Sequence, residues 1–221
     1  MCGRYTLKAS GEVLATQFGL PAAPDLSPRY NIAPSQLVPT VRLGSAGREL
    51  ALLRWGLVPS WAKDLTIGAR MINARSETAN EKPAFRRAIR QRRCLIVADG
   101  FYEWQALPNG KQPFYFRIGQ GTPFAMAGLW ESWRSPDQTE VQTCTILTTR
   151  ANDLLAPLHD RMPVILPPDQ YAHWLDPHLH EVGPLERLFD PFPSTAMNAY
   201  PVSRAVNRAT NDGSSLIVPL A

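Results

Sequence analysis

Residues 94–104 read CLIVADGFYEW. The β-branched Ile96 and Val97 and the aromatic Phe101, Tyr102 and Trp104 favour a pleated sheet, and Gly100 punctuates the run. Downstream the same texture repeats: PFYFRI at 113–118, TPFAMAGLWES at 122–132, EVQTCTILTT at 140–149 and RMPVILP at 161–167 are short β-rich stretches separated by Gly, Pro and Asn. Such spacing predicts one mainly antiparallel sheet system. PPDQYAHWL (167–175) and GPLERLF (183–189) read as brief helices, and YPVSRAVN (200–207) as a last strand and turn.

Upstream, SETANEKPAFRRAIRQRR at 76–93 predicts a helix with Ala84, Phe85, Ala88 and Ile89 inward and Arg86, Arg87, Arg90, Arg92 and Arg93 on a basic outer face. LVPTVRL (37–43) and ELALLRWGLVP (49–59) form a strand pair around the turn GSAGR, and residues 21–36 are a Pro-rich loop. Ser10 caps a short helix over 11–20 with Val13, Leu14 and Phe18 on one face. With no internal repeat, low-complexity tract or linker, residues 1–221 read as a single α+β domain, its antiparallel sheets curved into a barrel-like core with peripheral helices.

A chain of 221 residues, 44% hydrophobic, can bury a full core without staples. MCGRYTLKAS lacks the charged and apolar regions of a secretion signal, and no apolar run reaches the roughly 18 residues of a membrane span, so a cytoplasmic protein without membrane contact is expected. The net charge of +4 rests mostly on arginines, whose guanidinium groups pair bidentately with phosphate. Cys2, Cys94 and Cys144 form neither a disulfide framework nor a CxxC knuckle. Cys94 and Cys144, in apolar or alternating runs, are expected to be small buried hydrophobes. The four histidines, His159, His173, His178 and His180, show no metal-binding spacing with acidic partners, so neither metal nor cofactor is expected.

Cys2 is different because removal of Met1 before a small residue leaves a free 1,2-aminothiol. The α-amine, with a reference pKa of about 8, and the thiol, at about 8.5, are both available as nucleophiles near neutral pH. The amine can condense with an aldehyde to an imine, and the thiol can close a five-membered thiazolidine; carrying both groups on one residue supplies the proximity. The competing reading is a buried, incidental cysteine.

The strings MCGRYTL (1–7), RYNIAP (29–34), RWGLVPSWAKD (54–64), MINARSET (71–78), ADGFYEW (98–104), ILTTRAND (146–153), LHDRMPVIL (158–166) and YPVSRAVN (200–207) extend over nearly the whole chain. In this order they resemble the SRAP family, the SOS response-associated peptidase-like proteins. The resemblance implies a curved antiparallel barrel fold and an enzyme of DNA repair that forms a covalent thiazolidine with abasic sites in single-stranded DNA. It also implies a catalytic set of Cys2, Asn73, Glu103 and His159.

Glu103, after a very apolar strand, would shuttle protons in a partly desolvated site; His159, the side-chain type whose reference pKa of about 6.5 lies near neutrality, would help open the deoxyribose; Asn73 would orient the amine or the ring oxygen. Arg4, Arg75 and Arg161 are the expected phosphate contacts. Trp61, in a Pro-flanked loop, would stack on a base, although Ala62 stands where some members carry a second tryptophan. Trp55 and Trp104 are expected in the core. The partners so implied are abasic single strands and replication-fork proteins, bound by a monomer.

Three other readings compete. An N-terminal-nucleophile amidohydrolase also begins Cys-Gly, but its GHTRWAT-like segment is absent. A thiol peptidase, or removal of the protein's own first residue, could use Cys2, Glu103 and His159. A non-enzymatic single-strand binding module would need only the arginines and Trp61.

Overall fold

The computed structural model describes residues 2–220, so the expected loss of Met1 concerns a residue outside the described range. In chain order the strands and helices are β1 (Tyr5–Leu7), α1 (Gly11–Phe18), β2 (Arg29–Ile32), β3 (Leu37–Gly44), β4 (Gly47–Trp55), β5 (Asn73–Arg75), α2 (Ser76–Ala79) and α3 (Ala88–Gln91). They continue as β6 (Arg93–Ala98), β7 (Gly100–Leu107), β8 (Gly110–Ile118), β9 (Phe124–Arg134), β10 (Glu140–Arg150), β11 (Arg161–Pro163), β12 (Ile165–Leu166), α4 (Tyr171–Leu175) and β13 (Met197–Pro201).

The stretch 94–104 belongs to two sheets. β6 lies between β3 and β9, and the ring β10–β4–β3–β6–β9–β10 closes a barrel that is antiparallel except for the β10–β4 pair. After Asp99 the chain enters β7, the centre of an antiparallel sheet ordered β13-β8-β7-β1-β2. Every residue of β6 is buried, because one face lines the barrel and α4 covers the other, with the Trp174 indole donating to the Cys94 carbonyl at 2.9 Å. The expected fold class, antiparallel sheets in a barrel-like core with outer helices, therefore holds. Cys94 and Cys144 are both buried and free, as their contexts indicate.

The helix expected over 76–93 is broken. Pro83 has no N–H to give the Ala79 carbonyl and disfavours a helical Lys82, so α2 and α3 are single turns joined by non-helical turns. The basic face is broken as well. Arg86, Arg87 and Arg90 are exposed, whereas Arg92 pairs with buried Glu131 and Arg93 is itself buried. Arg93 donates to the carbonyls of Ile89 (2.8 Å), Trp174 (2.5 Å) and Asp176, a structural role.

In α1, capped by Ser10, Gly11, Leu14 and Phe18 face inward while Val13 is exposed: its position, one residue before Leu14, turns it off the buried stripe. Gly11 admits no side chain, since a Cβ would stand 2.0 Å from the Pro24 carbonyl oxygen. No helix among the described residues is long and apolar enough to cross a membrane.

Candidate active site

The N-terminal strand is fastened along its length before it reaches Cys2. β1 pairs with β7 through Tyr5 opposite Phe101 and Thr6 opposite Gly100, and the Tyr102 amide extends the ladder to the Arg4 carbonyl at 3.0 Å. Behind it, Asp99 accepts from the Thr6 hydroxyl at 2.6 Å and from the amides of Lys8 and Ala9 at 2.5 and 3.1 Å. The Tyr115 hydroxyl lies 2.9 Å from that of Thr6. Gly100 makes room for it, since a Cβ there would fall 2.1 Å from the Tyr115 oxygen. Thr6, Asp99 and Tyr115 are all buried, so these bonds are formed away from competing water.

Continuing the antiparallel register beyond Arg4 brings Gly3, next to Cys2, alongside Glu103, which is only 3% exposed. Cys2 is fully buried, and its thiol is pushed well above the usual range first by burial and then by the charge of Glu103.

Asn73 arrives from the barrel. β5 runs parallel to β10 with Asn73 opposite Ile146, and the preceding residue is fixed by the Trp55 indole, which donates to the Ile72 carbonyl at 2.8 Å. Trp55 packs edge-on against Tyr5 of β1, ring centroids 5.4 Å apart, and so joins the two sheets. The result is a bond across 71 residues: Asn73 Nδ2 donates to the Cys2 carbonyl at 2.9 Å. Asn73 Oδ1 is buried with no hydrogen-bond partner among the described residues.

His159 leads into β11, which pairs with residues 148–150 of β10 and shares Thr148 with β5. Its Nδ1 accepts the Arg161 amide at 2.9 Å; because an amide can only donate, this bond selects the neutral tautomer protonated at Nε2. Asp160 Oδ1 stands 2.8 Å from the same nitrogen. Cys2, Asn73 and Glu103 are thus brought together, with His159 at the same end of β10 but without a hydrogen bond to Cys2 or Asn73.

The expected DNA-binding residues differ in how free they are. Arg75 is exposed, while half-buried Arg4 donates to Asn31 Oδ1 at 3.1 Å and to the Val206 carbonyl at 2.9 Å. Arg161 is forked onto Glu77 at 2.6 and 2.8 Å. Trp61 is 59% exposed and overhangs a largely apolar groove of about 500 Å³ that also touches Asn73, Arg75, Lys82 and Phe85. Trp55 is in the core as expected, but Trp104 is only half buried, its indole bonded to Asn207 Oδ1 at 2.7 Å.

Lys82, Phe85 and Glu77 belong to the site's surroundings and were not legible as such, because the segment carrying them reads as one amphipathic helix. Pro83 was the signal against that reading. No group of three His, Cys, Asp or Glu side chains among the described residues is arranged to hold a metal ion.

Comparison with known proteins finds relatives along the whole chain. The chain is 43% identical over 222 residues to the abasic site processing protein YoqW of Bacillus subtilis, covering 98% of this chain and 99% of that one. It is 30% identical to the abasic site processing protein YedK of Escherichia coli, each chain being covered completely. A crystal structure of a protein from Bacteroides thetaiotaomicron superposes with a TM-score of 0.89 at 25% identity, again over the whole of both chains. Residues 1–209 match the family described as SOS response associated peptidase (SRAP), and the chain belongs to that family.

Proposed function

We propose that this protein processes abasic sites by covalent capture: after loss of Met1, Cys2 forms a thiazolidine with the ring-opened aldehyde of an abasic site in single-stranded DNA and shields the lesion. The observation that carries the reading is the meeting of Cys2 with Asn73 and Glu103 at the end of a fastened strand. The relatives' names, as abasic site processing proteins, support the substrate class.

In this reading the Cys2 amine attacks the C1′ aldehyde, and the carbinolamine loses water to give an imine. The thiol sulfur then adds to the imine carbon, and the thiol proton ends on the ring nitrogen. Nothing is oxidised or reduced, and one water leaves. Glu103, buried beside Cys2, carries the protons between these steps; Asn73 holds the Cys2 carbonyl through Nδ2 and offers its unoccupied Oδ1 to the amine. The Nε2–H of His159 serves the sugar oxygen as the ring opens. Arg4, Arg75 and Trp61 meet the strand on either side.

The test is a denaturing gel of the protein with single-stranded DNA holding one abasic site. A heat- and SDS-stable band for wild type, absent for Cys2→Ala and at most labile for Cys2→Ser, is the expected result. Protein confirmed by mass to begin at Cys2 that gives no band would overturn the proposal.

A further inference from the structure

Among the described residues, Arg161 alone of the arginines assigned to phosphate contact is already held by a carboxylate. Its Nη1 and Nη2 donate to the two oxygens of Glu77 at 2.6 and 2.8 Å, and Nη2 also donates to the Thr148 carbonyl at 2.5 Å. A phosphodiester presents two non-bridging oxygens to a guanidinium in nearly the same fork, so Glu77 and a DNA phosphate compete for one edge of Arg161.

The two partners are unequally fixed. The Arg161 side chain is only 12% exposed and is also anchored on the Thr148 carbonyl, whereas Glu77 is 51% exposed on the single-turn α2. Arg150, the cross-strand partner of Arg161, lines the same pocket of about 470 Å³ as Glu77 and offers a released carboxylate a second cation.

We propose that Glu77 is an internal phosphate mimic, which occupies Arg161 in the free protein and is displaced by a backbone phosphate of the incoming strand. The exchange replaces one ion pair with another, so it adds little net affinity. Undamaged strands are consequently held weakly, and durable retention is left to the covalent bond at a lesion. Glu77 thereby sets discrimination between intact and abasic DNA without touching the reacting atoms. This inference rests on the reading that Arg161 meets DNA phosphate.

The experiment is a double-mutant cycle on affinity for an intact oligonucleotide at fixed salt, where Cys2 chemistry plays no part. Glu77→Gln should tighten binding three- to tenfold, and the gain should disappear in an Arg161→Ala background. In competition, excess intact strand should slow crosslinking of a labelled abasic strand more for Glu77→Gln than for wild type. Unchanged or weakened binding by both Glu77→Gln and Glu77→Ala, each fully folded at the assay temperature, would overturn the proposal, as would absence of measurable binding to intact strands. Loss of crosslinking in every variant, with the affinity cycle as expected, would instead sink the covalent reading alone.

Discussion

The two halves of the candidate site are built on opposite principles. Along the β1–β7 seam, polar groups are buried and held by fixed partners: Asp99 accepts three hydrogen bonds, and the Asn73 amide spans the sheets to the Cys2 carbonyl. Around the groove at β5, and at β11 near it, the side chains are more open to water: Trp61 stands out in solvent, Arg75 is uncovered, and Arg161 is paired with a half-exposed carboxylate. Buried, preorganised groups suit a reaction whose geometry must not vary, while an adaptable rim suits a flexible strand of any sequence. Changes in the seam should therefore alter rate and stability, and changes in the rim should alter affinity.

The most severe test of that contrast is Glu103→Gln, which keeps the shape of the seam and removes the carboxyl proposed above as its proton carrier. Single-turnover crosslinking should slow by about 100-fold or more while affinity for an intact strand stays the same. A parallel loss of affinity would erase the division of labour. Next in size, Asp99→Ala removes the acceptor of the part-buried Lys8 and Ala9 amides and one of the partners of the buried Thr6 hydroxyl, and should cost about 2 kcal/mol in urea unfolding.

The rim gives smaller effects of another kind. Trp61→Ala should weaken intact-strand binding by about 1–2 kcal/mol, seen by fluorescence anisotropy, with no change in melting temperature because the indole is mostly exposed. A large drop in melting temperature would make Trp61 a packing residue.

The smallest effect concerns Glu77. Its carboxyl is held below the ordinary range, chiefly by the Arg161 hydrogen bonds. Its stabilisation is therefore present above the unfolded carboxyl's pKa, about 4.3, and is lost as pH falls through the lower folded value. With half the side chain in water, solvent screening limits this to a few tenths of a kcal/mol. A melting-temperature difference between wild type and Glu77→Gln at pH 6 should shrink and close as the pH is lowered through the carboxyl's depressed folded-state range, and a difference that persists in strong acid would mean that the ion pair is not its source.

The β-rich stretches were readable because strand preference is local: β6, β7, β8, β9 and β10 all fall where β-branched and aromatic residues cluster. The segment 76–93 misled because its apolar spacing fits a helix while a single residue, Pro83, forbids one, and periodicity weighs many positions against that one. Arg93 shows a related limit. Its charge reads as surface, yet three backbone carbonyls meet it in the interior, and those carbonyls come from elements far apart in the chain.

By itself the sequence determined the chemical inventory: an aminothiol latent at position 2, a glutamate after an apolar strand, an arginine-rich composition, and a string of motifs that marks the family. Only the tertiary structure decided what meets what. Asn73 reaches Cys2 because β5 adds to β10 and Trp55 packs on Tyr5, and Arg161 faces Glu77, 84 residues earlier, because β11 and β5 flank opposite edges of one strand. The reason is physical: residue type and local backbone preference are properties of neighbours in sequence, whereas strand pairing and burial are settled by which distant surfaces exclude water together.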